Sequence, residues 1–207
     1  AAKQKEEVEV AREIGKALEA QYAIYRKKLC IDFTDKVDVF VYNTSGLFPE
    51  GAKFKLFDDA CASNGKIYFS YPAFRPGKYD LQAAAGRVVS RTIAGGIPFC
   101  PEWLADAYSV YAGNDLKRFG KPVHTTASNF GDLAEDYARA ERPAAVQQLF
   151  AILASTAEFM VNTYGEKQFG AVFQELKHGT EVEEAFEKAF GQKIPLNTLD
   201  WVGFASA

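Results

Sequence analysis

The sequence predicts an α+β fold, with a small sheet near the N-terminus followed by a mostly helical C-terminal half. Three observations carry this. A long amphipathic stretch over residues 3–29 precedes two short runs rich in β-branched and aromatic residues, Val37–Tyr42 and Lys66–Tyr71. Two adjoining stretches within Tyr79–Gly113 show apolar residues at helical spacing. A third, longer helical pattern opens at Pro143 and runs to Tyr164.

The elements follow in order. In residues 3–29, Ala11, Ile14, Leu18, Tyr22, Tyr25 and Leu29 share one face, with Lys, Glu and Arg opposite. The heptad does not persist, which argues against a coiled coil. Val37–Tyr42 (VDVFVY) reads as a strand and Asn43–Gly51 as a loop, since it holds Gly46, Pro49 and Gly51. Phe54–Phe57 and Lys66–Tyr71 read as further strands, with Ser63-Asn64-Gly65 as the turn between them, and Pro72–Pro76 as an irregular connection.

Leu81, Ala84, Ala85, Val88 and Val89 then form a helical stripe that Gly95-Gly96 stops. Pro101 suits the first turn of the next helix, in which Trp103, Leu104, Ala107, Val110 and Tyr111 recur with helical period. Asn114–Asp132 reads as a long polar loop, and Leu133–Ala140 as a short helix. From Pro143, the apolar positions Val146, Leu149, Phe150, Leu153, Ala157, Met160, Val161 and Tyr164 mark a core helix, with Gly165 as its natural stop. Thr180 and Glu183 fit a capping box for a helix Glu181–Phe190, and Leu196–Phe204 reads as a final short helix.

The second helix of the central stretch, PEWLADAYSVYAG, resembles the P-x-W-L-x-E-G-x-A-x-Y segment of thermolysin-like (gluzincin) zinc peptidases, specifically the small bacterial peptidase MA-like group. In that family this helix supplies a Glu zinc ligand, and the preceding helix carries HExxH, with two His ligands and a Glu general base. The C-terminal segment EFMVNTYGEKQFGAVFQELKHGTEVEEAFEKAFG is similar to the family as well. The resemblance spans residues 8–204. It implies a single zincin-like domain over 1–207, with a small mixed β-sheet and an N-terminal helix. Residues 3–113 would hold helix, sheet and vestigial active-site helices, and 133–207 a helical subdomain. It also implies that a strand beside the active-site helix lines the cleft, with Lys66–Tyr71 as the candidate.

Laid on this chain, the family pattern puts HExxH on Arg87-Val88-Val89-Ser90-Arg91. Both His positions hold Arg, the base position holds Val88, and the third ligand is shortened to Asp106. Guanidinium stays protonated and has no lone pair for a metal, and Val accepts no proton. The resemblance therefore implies a peptidase fold without peptidase chemistry, with no metal and no other cofactor, and with vestigial positions Arg87, Val88, Arg91 and Asp106. Arg87 and Arg91 lie one turn apart on one face. Three readings of the old cleft stay open: an ion pair in which Asp106 bridges to one Arg, an anion site in which the Arg forks hold a carboxylate or phosphate, and neither of these.

The chain has 207 residues, 48% hydrophobic, 14% aromatic and 25% charged, with a net charge of -3. That length buries one full core, and the charge balance offers no basic footprint for nucleic acid. No run approaches the roughly 18 apolar residues of a membrane span. Cys30, Cys61 and Cys100 are too few and scattered for a disulfide scaffold; one bridge plus a free thiol and three buried thiols both stay open. His124 and His178 belong to no ligand motif, and Cys100 beside Pro101 has no His near it in sequence. The chain starts AAKQKEE without an initiator Met, as a processed or trimmed N-terminus does. Members of the group are often exported, so the resemblance implies an extracytoplasmic location, periplasmic or membrane-associated.

Three functions compete. The first is a non-catalytic pseudo-metallopeptidase working as a protein-interaction module or as a structural subunit of a larger assembly. The second is a binder of anions, small molecules or peptides that uses the old cleft. The third is a peptidase with altered chemistry built on Asp106 and the two Arg.

Overall fold

The computed structural model describes residues 2–29, 31, 36–50, 56–71, 79–120 and 130–191. It is α+β: three strands and eight α-helices among these residues. Helix α1 (Ala2–Leu29) leads to strand β1 (Asp38–Tyr42). Strands β2 (Ala60–Ser63) and β3 (Lys66–Ser70) follow as a hairpin. Helices α2 (Leu81–Gly95), α3 (Glu102–Ala112) and the short α4 (Leu116–Phe119) come next. The chain then runs through α5 (Phe130–Arg139), α6 (Pro143–Tyr164), α7 (Glu166–Lys177) and α8 (Val182–Phe190).

The sheet is mixed, in the order β1-β3-β2. β1 runs parallel to β3 with Asp38 opposite Lys66, and β2 runs antiparallel to β3 with Ala60 opposite Phe69. The hairpin turn is Asn64-Gly65, both with positive φ (51° and 69°). That pair of left-handed residues is what a two-residue turn between twisted antiparallel strands requires. One sheet face is covered by helices: Ala60, Ile67 and Phe69 pack against Ile14 of α1 and Ala84 and Val88 of α2. On the other face Phe40, Tyr42 and Tyr68 form a stacked, half-buried aromatic row.

The strand predicted at Phe54–Phe57 is not found where the structure describes it. Leu56 and Phe57 lie outside any strand, and Phe57 instead packs its ring against Phe119 and Phe150. Its place in the sheet is taken by Ala60–Ser63, whose small residues carry no β-branched or aromatic signal. The Lys66–Tyr71 candidate is also corrected. β3 is the central strand with neighbours on both sides, and β2 is the strand packed most closely on α2. The predicted loop Asn114–Asp132 contains α4 and the start of α5. The predicted capping box does not form: Glu181 is the N-cap without a side-chain bond, and the Thr180 hydroxyl pairs with the Glu175 carboxylate at 3.1 Å.

The main core lies among α3, α6, α7 and α8, where Leu104, Tyr108, Phe150, Leu153, Phe169, Phe173 and Phe186 are almost wholly buried. Tyr108 packs edge-on to Phe169 and tilted against Phe173. Among the described residues α6 is the one helix long and apolar enough to cross a membrane, and most of it is buried inside the protein as the central helix of this core. The predicted final helix Leu196–Phe204, Cys30, His124 and the Pro72–Pro76 connection lie outside the described residues.

Candidate functional site

The site is built on α2, whose start is fixed by Asp80. Its carboxylate accepts the backbone N–H of Gln82 at 2.8 Å and of Ala83 at 3.4 Å, satisfying donors that a helix start leaves open. One turn along, Arg87 sits on the buried face among Ala84, Ala85 and Val88 and is only 3% exposed. A guanidinium in that position needs carboxylates around it.

Two carboxylates come from loops. Asp59, just before β2, accepts from Arg87 Nη2 at 2.7 Å, and Asp115, in the turn after α3, accepts from Nη1 at 2.6 Å. The Ala60 carbonyl accepts a third bond at 3.1 Å. The same guanidinium lies over the Phe57 ring, 4.4 Å from its centroid. Arg118 of α4 extends the network to Asp59 at 3.1 Å and Asp58 at 3.3 Å, and stacks over Tyr79. A side chain at Gly113 would occupy the space of the Asp115 carboxylate and of Arg87 Cβ, so glycine is required at that turn.

The electrostatics follow from this arrangement. Burial pushes the Asp59 carboxyl up, but the charges of Arg87 and Arg118, with hydrogen bonds from Arg87 and the Ala60 backbone, outweigh it and hold Asp59 below its ordinary value. For Asp115, burial dominates over the pull of Arg87, and the neighbouring charge of Asp59 adds to it, so its carboxyl is raised.

Arg91, the next turn of α2, makes a separate set. Its Nε donates to Asp106 Oδ1 of α3 at 2.5 Å, and its Nη2 donates to the exposed Glu102 at 2.9 Å. The other oxygen of Asp106 accepts the Tyr137 hydroxyl of α5 at 2.5 Å. Burial, then the charge of Asp106, push the Tyr137 phenol up, so it stays a donor. Three helices are thus tied at one carboxylate.

Arg87, Val88, Arg91 and Asp106 line one cavity together with Phe57, Cys61 and Phe150. The structure therefore brings these four positions together, and of the two Arg only Arg91 pairs with Asp106. The cavity is about 30 Å³, the room of a single water. Arg87 Nε has no hydrogen-bond partner among the described residues. No family model, curated protein or solved structure matches the chain.

Sequence reading did not find Asp59, Asp115, Arg118 or Tyr137. One signal was available for the first two: an Arg on an apolar helix stripe demands carboxylate partners, although it does not say where they lie. Among the described residues no group of three or more His, Cys, Asp or Glu is placed to hold a metal ion. His178 is exposed and is the C-cap residue of α7. Cys61 and Cys100 are free thiols, and burial pushes each up to about 12. A thiol held there supplies no thiolate nucleophile. Trp103 and Tyr108 belong to the core, and Tyr111 lies half-buried at its margin.

Proposed function

We propose that this chain is a zincin-like scaffold without peptidase chemistry, acting as a protein-interaction module or as a structural subunit of a larger assembly. One observation carries the reading. The four positions that the resemblance assigns to ligands and base surround a single small cavity, and two of them, Arg91 and Asp106, are joined by an ion pair across α2 and α3. A charge-neutral pair there does the mechanical work of a shared metal, since it holds two helices at a fixed spacing. A cavity of about 30 Å³ also leaves no room for a peptide at that point.

An anion site in the same place has less support. The two carboxylates on Arg87 and the two on Arg91 already balance their charge. Elemental analysis of the purified protein together with native mass spectrometry tests the proposal. The expected result is no stoichiometric zinc and a chain that travels with a protein partner. Zinc at one per chain would overturn it.

A further inference from the structure

Helix α1 and strand β1 lie side by side without closing on each other. α1 packs chiefly on α2 and α7, and among the described residues β1 is hydrogen-bonded only to β3. Two hollows open between them. One, of about 700 Å³, is bounded by Gly15, Leu18 and Tyr22 of α1, by Val37 and Val39 beside and within β1, and also by Ile67 of β3 and by Val89 and Ile93 of α2. The other, of about 500 Å³, is bounded by Val8 and Ala11 of α1 and by Val41 of β1. From Val8 to Tyr22 a helix rises about 21 Å, and residues 37–43 span about 20 Å as a strand. The two hollows follow the same helix and strand along this length, a groove with room for about six residues of extended chain.

Three features mark this groove as built for an occupant. Val37, Val39 and Val41 project to one face by strand alternation and line it, and Val39 and Val41 are 41% and 37% exposed. Gly15 lies in the middle of α1 facing the groove, and a Cβ there would meet nothing within 4 Å. Glycine is unfavourable inside a helix and suits a position where another backbone approaches closely, yet no described residue makes that approach. The charged rim is acidic, with Glu7, Glu19 and Asp38 against Lys36.

We infer that this groove takes an extended segment of a partner protein, which adds a strand to the outer edge of β1. Apolar side chains of the segment fill the space beside Leu18, Val39 and Val41. Long Lys or Arg side chains of the segment reach the carboxylates of the rim, Glu7, Glu19 and Asp38. Strand addition at an open edge draws affinity from backbone hydrogen bonds and specificity from alternate side chains. The groove lies at the opposite edge of the sheet from the cavity, which is lined by Cys61 and Ala62 of β2. The inference rests on the interaction-module reading and supplies its class of partner.

The test uses the full chain and fluorescent octapeptides of alternating Val and Lys, with alternating Val and Glu as control. The expected result is saturable binding of the Val/Lys peptide about tenfold or more tighter than of the control. Gly15→Leu fills the groove from a site with open space, and Val41→Lys changes an exposed position. Each should weaken binding about tenfold or more with the melting temperature of Gly15→Leu undiminished. Equal binding of both peptides, binding unchanged in both variants, or no binding overturns the groove. A zinc-free chain that keeps its natural partner in the Gly15→Leu variant overturns the groove and leaves the interaction reading standing. Stoichiometric zinc overturns that reading whatever the peptides do.

Discussion

Arg87 and Asp115 are 28 residues apart in the chain and 2.6 Å apart in space, and with Asp59 they lock α2 to two loops in the interior. Arg87→Met would leave both buried carboxylates with only the less buried Arg118, 3.1 Å from Asp59 and 3.5 Å from Asp115, as a cation; losing one partner of a buried pair costs about 3–5 kcal/mol. Arg87→Lys should recover only part of this. A single ammonium cannot repeat the fork that holds two carboxylates and the Ala60 carbonyl at once. Urea unfolding followed by circular dichroism reads both variants. A cost under about 1 kcal/mol for Arg87→Met would show the pair to be no more than a surface contact.

The same cluster sets the acid response. Asp59 is held below its unfolded value, so its contribution is present above about pH 3.9 and is lost as pH falls through the lower folded value. Asp115 is raised, with burial outweighing Arg87, so the native state takes up its proton more readily and gains relative stability as pH falls toward the unfolded value. Stability should therefore hold or rise slightly as pH drops toward about 4, then fall below it. In Asp59→Asn the fall below that point should be shallower. A steady decline from neutral pH in the parent chain would contradict the opposed shifts.

How much of this was legible depends on whether a contact is local. α2, α3 and α6 were readable because Leu81–Val89, Trp103–Tyr111 and Val146–Tyr164 repeat with helical period along one segment. An ion pair of Asp106 with one of the two Arg was among the expectations, but the sequence did not say that Arg91 would be the one. Asp59 and Asp115 were not readable, because turn residues brought to Arg87 by the tertiary fold leave no period. β2 was missed for a different reason. Ala60-Cys61-Ala62-Ser63 is a strand only because a two-residue turn folds it back on β3, and that pairing overrides weak propensity. The aromatic Phe57 looked like a strand residue because a ring destined to lie under two guanidinium groups has the same composition signal.

Burial of the thiols predicts their reactivity. Cys61 and Cys100 each rise from 9.0 to about 12, with burial as the leading cause and partial relief from Arg87 and Arg91 respectively. Iodoacetamide at about pH 8 should therefore leave both unmodified in the folded protein and alkylate both in guanidinium, as peptide mapping would show. A raised folded value also means that their stabilising effect is complete below about pH 9 and is lost as pH rises toward 12. Cys61→Ala should flatten that alkaline loss. Rapid native labelling of Cys61 would place the cavity in open contact with solvent.

Gly15 and Gly170 predict opposite outcomes for the same substitution. Both are helical, and glycine in a helix interior is about 1 kcal/mol less favourable than alanine. At Gly15 a methyl group meets open space, so Gly15→Ala should realise that gain and raise the melting temperature by about 2–4 °C for a chain of this size. At Gly170 the methyl group would collide with the Lys28 carbonyl oxygen in the last turn of α1. There Gln174 also donates to the Leu29 carbonyl, so α7 and α1 meet backbone to backbone. Gly170→Ala must push the helices apart and should cost about 1–3 kcal/mol in spite of its better helix propensity. Thermal melts of the two variants side by side decide the matter. If both rise, the contact of α1 with α7 is looser than the structure shows.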